Sequence, residues 1–234
     1  MKAMILAAGR GERMRPLTDH CPKPLLRAGD HALIEWHILR LQRAGITDIV
    51  INHAWLGDKI EAQLKDGSQF GVHIQYSPEN PALETAGGIR QALTLLGDDP
   101  FLIINGDVFT DWDAQHAFAV ANHLQHSELL GHLWMVENPE HHTKGDFYLQ
   151  SPRKLLSEHP LTISDKTLTY SGIACYKPAL FSSLPVGQPA PLGPLLRQAM
   201  STQQLTGELL VGSWTDVGTP ERLEKISRQL GSLE

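Results

Sequence analysis

Basic charge is in short supply in this chain of 234 residues: 20 Lys and Arg stand against 26 Asp and Glu, a formal net charge of −6. A nucleic-acid binder working through a basic face is disfavoured, because phosphate neutralisation needs clustered Lys and Arg. An anionic small molecule can still be held by a few basic side chains and backbone amides. Cysteine is scarcer. Cys21 and Cys175 are far apart and form no CxxC motif, so they read as free thiols of a reducing compartment. No apolar run reaches the roughly 20 residues of a membrane span. The opening Met1–Gly9 stretch has one positive charge and too short an apolar run for a signal peptide. The expected location is cytoplasmic. Repeats, low-complexity segments and clear linkers are also missing. The 12 histidines, including His123, His126, His141 and His142, match no tetrahedral zinc spacing and read as solvated or loop residues.

What is present is an alternation of short apolar runs and helical patterns. Met4-Ile5-Leu6 is a buried-strand candidate leading into a Gly-rich loop. Residues 31–44 follow as a helix, with Ile34, Ile38 and Leu41 on one face and Gly45 closing it. Strands are predicted at 48–52, 72–76 and 101–104, and helices at 56–65 and 85–96. Apolar runs without alternation suggest strands covered on both faces. After residue 110 the pattern changes: a helix over 113–126, a strand over 129–136, short strand pieces over 145–177, and helices over 191–204 and 219–231. The expected fold is α/β, Rossmann-like, with a mixed central sheet flanked by helices and a small extension. One domain over 1–234 is expected, residues 1–110 mainly binding nucleotide and 111–234 mainly binding the second substrate.

The strongest signal is the string LAAGRGERMRPLTDHCPKPLL, residues 6–26. Small residues after the first strand let backbone N–H groups approach phosphate oxygens without a Cβ in the way. Arg13 and Arg15 add charge suited to multidentate phosphate contact. Pro16, Pro22 and Pro24 stiffen the path that carries Lys23 back towards the same phosphates. No Walker A string is present, and Gly9-Arg10-Gly11 lacks the third glycine of a dinucleotide fingerprint.

This segment resembles the signature of the sugar-phosphate nucleotidyltransferase family, LAAGxGxRxxPLTxxxPKPLL, at nearly every defined position. The resemblance implies transfer of a nucleotidyl group from a nucleoside triphosphate to a sugar 1-phosphate, with release of pyrophosphate. It gives Arg13 and Lys23 catalytic roles at the triphosphate, and places Ala8, Gly9, Gly11 and Glu12 against the nucleotide. Asn105-Gly106-Asp107 follows the fourth strand, where ligands of open α/β sheets sit. Alone it is equally a turn; beside the first motif, Asp107 becomes a candidate Mg²⁺ ligand. Trp214-Thr215-Asp216-Val217-Gly218-Thr219-Pro220 resembles the family's late segment, in which the Asp completes the metal site. Pro220 by itself also reads as a helix start.

Pro81-Ala82-Leu83-Glu84-Thr85-Ala86-Gly87-Gly88 matches the family's nucleobase turn, so Glu84, Gly87 and Gly88 are nucleotide-side candidates. Glu84 is equally readable as a helix-start carboxylate favoured by the dipole. Many relatives have Leu-Gly-Thr where this chain has Leu83-Glu84-Thr85, and the departure resembles the small single-domain uridylyltransferases of N-acetylmuramate 1-phosphate. Residues 51–57, Gly145-Asp146-Phe147 and Tyr170-Ser171-Gly172-Ile173 resemble the same subgroup. By that resemblance Asn105, Gly145, Asp146, Ser171 and Gly172 bind the sugar, the nucleotide is UTP, and the product serves cell-wall sugar recycling. A mannose- or heptose-1-phosphate guanylyltransferase shares the chemistry. A non-catalytic nucleotide-sugar sensor is the alternative of another class, although Arg13, Lys23, Asp107 and Asp216 are all retained.

Overall fold

In the computed structural model, which describes residues 1–150, 154–160 and 166–231, a nine-stranded mixed sheet organises the chain. The elements are β1 (Ala3–Leu6), β2 (Arg27–Ala28), β3 (His31–Ala32), α1 (Leu33–Arg43), β4 (Asp48–His53), α2 (Gly57–Leu64), β5 (His73–Pro78), α3 (Glu84–Leu96) and β6 (Phe101–Asn105). There follow β7 (Val108–Thr110), α4 (His116–Gln125), β8 (Gly131–Val136), β9 (Phe147–Gln150), β10 (Leu155–Ser157), β11 (Thr167–Tyr176), α5 (Leu192–Ser201), β12 (Leu205–Leu209), β13 (Trp214–Asp216) and α6 (Pro220–Gly231). The sheet order is β5-β4-β1-β6-β11-β8-β12-β10-β9. β5, β4, β1 and β6 run parallel, and β11 turns the sheet antiparallel.

The apolar runs of β1 and β6 alternate between two cores. Ala3, Ile5, Leu102 and Ile104 pack with α1, α2 and α4 through Ile34, Ile38, Leu41, Ile60, Leu64, Ala117 and Leu124. Met4, Phe101 and Ile103 pack with α3 and α5 through Ala86, Ile89, Leu96, Leu192 and Leu196. Each such Leu or Ile contributes about 1.5–3 kcal/mol of burial, so both layers are needed. A third cluster joins Met14, Leu26, Leu33 and Val217 to Leu223 and Ile226 of α6. It fastens the loop after β1 to the end of the chain.

The predicted elements are found with their ends moved by a few residues. The expected mixed-sheet extension over 145–177 is present as β9, β10 and the ten-residue β11, which continue the central sheet beyond β6. Residues 151–153 and 161–165 of that stretch lie outside the described residues. No strand was expected at β2, β3, β7, β12 or β13, and β3 takes the first two residues of the helix expected over 31–44. β13 pairs with β7 in a small second sheet, Asp216 opposite Val108. Among the described residues no helix is long and apolar enough to cross a membrane.

Candidate active site

Parallel register brings Leu6 level with Asn52 and Asn105 at the carboxyl edge of the sheet. Three cavities meet there. The first, about 440 Å³, is lined by residues 6–9 and 11–14, by Lys23, Asn52, Glu79, Ala82, Glu84, Thr85, Asn105, Asp107 and Gly218. A second, about 580 Å³, shares Glu84, Thr85 and Asn105 with it and adds Gly145, Asp146, Phe147, Tyr170 and the start of α5. The third, about 340 Å³, shares Arg13, Asn105 and Asp107 with the first, and adds His141, Ser171, Gly172, Trp214 and Asp216. Together they form one cleft with Asn105 at its centre.

The loop after β1 is built as the motif suggested. Gly11 is left-handed (φ 69°), and Thr18 Oγ donates to its carbonyl at 2.8 Å. A Cβ at Gly11 would stand 3.0 Å from Thr18 and 3.2 Å from Lys23, so the turn needs both the angle and the space. Arg10 stacks 3.7 Å over Trp55, whose indole N–H donates to the Thr18 carbonyl. Glu12 lines the cavity, but its carboxylate faces Arg10 at 2.6 Å and Arg15 at 3.6 Å; its visible role is to hold the loop's arginines.

Lys23 is buried, and its ammonium donates to Asp107 Oδ2 at 2.8 Å. Asp107 also holds Asp216 nearby: its carbonyl accepts the Val217 N–H at 2.7 Å. The Arg13 guanidinium and the Asp216 carboxylate flank Gly218, where a Cβ would lie 3.2 Å from Arg13 Nη1 and 3.3 Å from Asp216 Oδ2. Arg222 of α6 donates to Asp216 Oδ2. Asp216 Oδ1 is buried without a hydrogen bond, although His141 Nε2 is only 2.9 Å away. Arg222 Nη1 lies 3.1 Å from that same nitrogen. An orphaned carboxylate oxygen beside a second carboxylate fits Mg²⁺, which takes one or two carboxylates plus phosphate oxygens and water. Among the described residues no set of three or more His, Cys, Asp or Glu gathers into a metal cage.

A bulge in β11 carries Ser171 and Gly172: opposite neighbours in β8 pair with Tyr170 and Ile173. Gly172 is left-handed (φ 80°), and a Cβ there would stand 2.7 Å from the Asn105 amide. Ser171 is fully buried, its hydroxyl accepting the Ile173 N–H, its carbonyl the Trp214 indole N–H. Asp146 accepts from the Tyr170 N–H at 2.8 Å and lies 3.0 Å from His142. Gly145 and Asp146 line the second cavity, and Ser171 and Gly172 the third.

Two assignments need correcting. Gly87 and Gly88 do not line the cleft. A Cβ on Gly87 would lie 2.5 Å from the Gln188 carbonyl, and one on Gly88 2.4 Å from Glu79 Oε1; both are glycine so that α3 can pack. His141 is an exposed turn residue, as expected, and its Nε2 lies 2.9 Å from Asp216 Oδ1. Glu84 opens α3 as the helix-start reading expected, and does so with a φ of +57°. Asn52 and Glu79 were missed as a pair. Asn52 accepts from the Ala7 N–H at 2.9 Å and donates to Glu79 at 2.6 Å, and Glu79 accepts from the Leu83 N–H at 2.7 Å. This buried chain of bonds spaces the loop after β1 from the turn before α3. Only a buried polar residue at the end of an apolar strand could have signalled it.

The nucleotidyl transferase family pattern matches residues 2–232. The chain belongs to that family. An N-acetylmuramate alpha-1-phosphate uridylyltransferase of Neisseria meningitidis serogroup B is 52% identical over 99% of both chains. A protein of that description from Caulobacter vibrioides is 32% identical over 94% of this chain and 92% of its own. A mannose-1-phosphate guanyltransferase of Aspergillus fumigatus is 29% identical over 94% of this chain and 62% of its own. Among solved structures, a Bacillus anthracis chain provisionally assigned as a glucose-1-phosphate thymidylyltransferase superposes with TM-score 0.82, at 24% identity over 98% of this chain and 94% of that one. An apo UDP-glucose pyrophosphorylase gives 0.75 at 17% identity over 99% of both. Both have the nucleotidyltransferase fold expected for the family.

Proposed function

We propose that this chain transfers UMP from UTP to N-acetylmuramate α-1-phosphate, giving UDP-N-acetylmuramate and pyrophosphate, as a cytoplasmic step in the reuse of a cell-wall sugar. The observation that carries the reading is the meeting of Lys23 with Asp107 at 2.8 Å. It joins the loop after β1 to a carboxylate that lines a cleft with one arm towards each substrate. The full-length similarity to the Neisseria protein supports the choice of substrate pair.

The reaction needs no strong protein base. A phosphate monoester has a second pKa of about 6, so the sugar phosphate arrives charged at neutral pH. One of its oxygens bonds to the α-phosphorus of UTP as the bond from that phosphorus to the bridging oxygen breaks, and the electron pair leaves with pyrophosphate. Arg13 and Lys23 hold the phosphates and neutralise charge in the transition state. Lys23 must exchange Asp107 for a phosphate oxygen, which frees the carboxylate. Asp107 and Asp216 would hold Mg²⁺, which when bound would supply further charge neutralisation at the triphosphate. Asn105 lies where both arms meet and orients the two substrates.

Pyrophosphate release across UTP, GTP, CTP and dTTP, each against N-acetylmuramate, N-acetylglucosamine, glucose and mannose 1-phosphates, tests the reading. UTP with N-acetylmuramate 1-phosphate is the expected best pair, and chelation of Mg²⁺ abolishes turnover. A GTP preference replaces uridylyl with guanylyl transfer; binding without turnover of any pair replaces the enzyme with a sensor.

A further inference from the structure

The proposed sugar carries a feature that glucose, mannose and N-acetylglucosamine lack: a lactyl ether ending in a carboxylate. Such a group cannot enter a pocket of acidic residues without a cation. The second cavity contains Glu84 and Asp146, and among the described residues lining it Arg197 is the one cation. Arg197 lies on α5, one turn after Gly193, and a Cβ at Gly193 would stand 3.1 Å from its Nη1. That glycine leaves the guanidinium room to lie over the start of the helix, along the cavity wall. Its partner is Glu158, Nε to Oε1 2.9 Å, with both side chains about half exposed at 49% and 47%. An exposed pair of this kind contributes little to stability, so Arg197 can be turned to another carboxylate at small cost. Asp146 is already engaged by His142 and by the Tyr170 N–H, and does not compete for the guanidinium. Phe147, Leu192 and Leu196 supply apolar wall beside it, suited to the lactyl methyl.

We propose that Arg197 is the specificity-determining residue of the sugar arm, pairing with the substrate's lactyl carboxylate and selecting a carboxylate-bearing amino sugar 1-phosphate over its neutral counterpart. Guanidinium and carboxylate match as a two-pronged, charge-assisted pair. The inference rests on the uridylyltransferase reading above and deepens it.

The test compares wild type and Arg197→Gln on N-acetylmuramate 1-phosphate and N-acetylglucosamine 1-phosphate, with UTP and Mg²⁺ saturating. For the first sugar kcat/KM falls about 10- to 100-fold, mostly through KM, as loss of a hydrogen bond to a charged group predicts. For the second it stays within about twofold. Equal losses on both sugars, or no loss on either, overturn the assignment. If Arg197→Gln loses its cooperative melt, Arg197→Lys replaces it, with a smaller loss confined to the acidic sugar. A wild-type enzyme that uses both sugars equally overturns this inference while uridylyl transfer stands; one that uses neither overturns both.

Discussion

Lys23 Nζ and Asp107 Oδ2, 84 residues apart in sequence, meet at 2.8 Å with the lysine side chain 11% exposed and the aspartate 38%. The lysine is anchored in a short 3₁₀ turn, Lys23–Leu25, whose residues are all buried. The aspartate follows β6, where the Gly106 N–H is fixed to the Leu6 carbonyl at 2.8 Å. The ion pair therefore links two rigid supports across the cleft.

From this follows the first prediction. Lys23→Ala removes a cation aimed at developing phosphate charge, and kcat falls by about 10²–10³ or more. Circular dichroism and a thermal melt of the variant resemble wild type, because both anchors persist. A rate within tenfold of wild type shows that Lys23 does not serve the chemistry.

Asp216 provides a second. Its Oδ1 has no hydrogen bond while Oδ2 is taken by Arg222. Asp216→Asn keeps the shape and removes charge from the proposed metal site. The Mg²⁺ concentration for half-maximal rate is expected to rise at least tenfold, with kcat reduced. The same titration on Arg222→Ala separates the metal site from its support: freeing the carboxylate leaves Mg²⁺ demand unchanged or lower. An Asp216→Asn enzyme with unaltered Mg²⁺ demand removes this residue from the site.

A third prediction concerns Glu84, held in a left-handed conformation while lining both the first and the second cavity. Such a backbone costs a non-glycine residue about 1–3 kcal/mol, and such outliers cluster at functional sites. Glu84→Gly relieves that strain, offset by about 0.5–1 kcal/mol of glycine's unfolded-state entropy. The variant melts at or above the wild-type temperature, yet its kcat/KM falls. Unchanged activity with raised stability leaves Glu84 without a functional reason to be there.

These residues show how far the sequence could be read. The parallel half of the fold was legible because β1, β4 and β6 are apolar on both faces, and the long string at 6–26 marked the loop that lines the first cavity. Glycine proved ambiguous: Gly11 and Gly172 are needed for a left-handed turn at the cleft, whereas Gly87 and Gly88 only let α3 approach its neighbours. Spacing does not distinguish a glycine making room for ligand from one making room for protein. β7 and β13, three residues each, carry no periodicity to read, yet their pairing brings Asp216 to Asp107. The Asn52–Glu79 link spans 27 residues and exists only once β4 and the turn after β5 are folded together.

The last prediction is a pH dependence of stability. His37 on α1 is fully buried behind Asp107, and burial, reinforced by Arg40 one turn on, pushes its pKa down to about 3. His132 on β8 is pushed down to about 4, chiefly by burial, with Lys154 adding to it and Glu208 opposing it. In the unfolded chain both titrate near 6.5. Below that value the unfolded state binds protons that the folded state refuses, so stability is complete above about pH 6.5 and is lost as pH falls towards about 4 and then about 3. Each histidine contributes a slope of at most about 1.4 kcal/mol per pH unit. Urea midpoints at pH 7.5, 6 and 5 should therefore fall steadily, in a range where most carboxylates are still ionised. His132→Gln, which cannot take up a proton, flattens the slope between pH 6 and 5 even if it lowers the midpoint at pH 7.5. An unchanged slope in that variant means that His132 is protonated in the folded protein, held by Glu208 rather than excluded by burial.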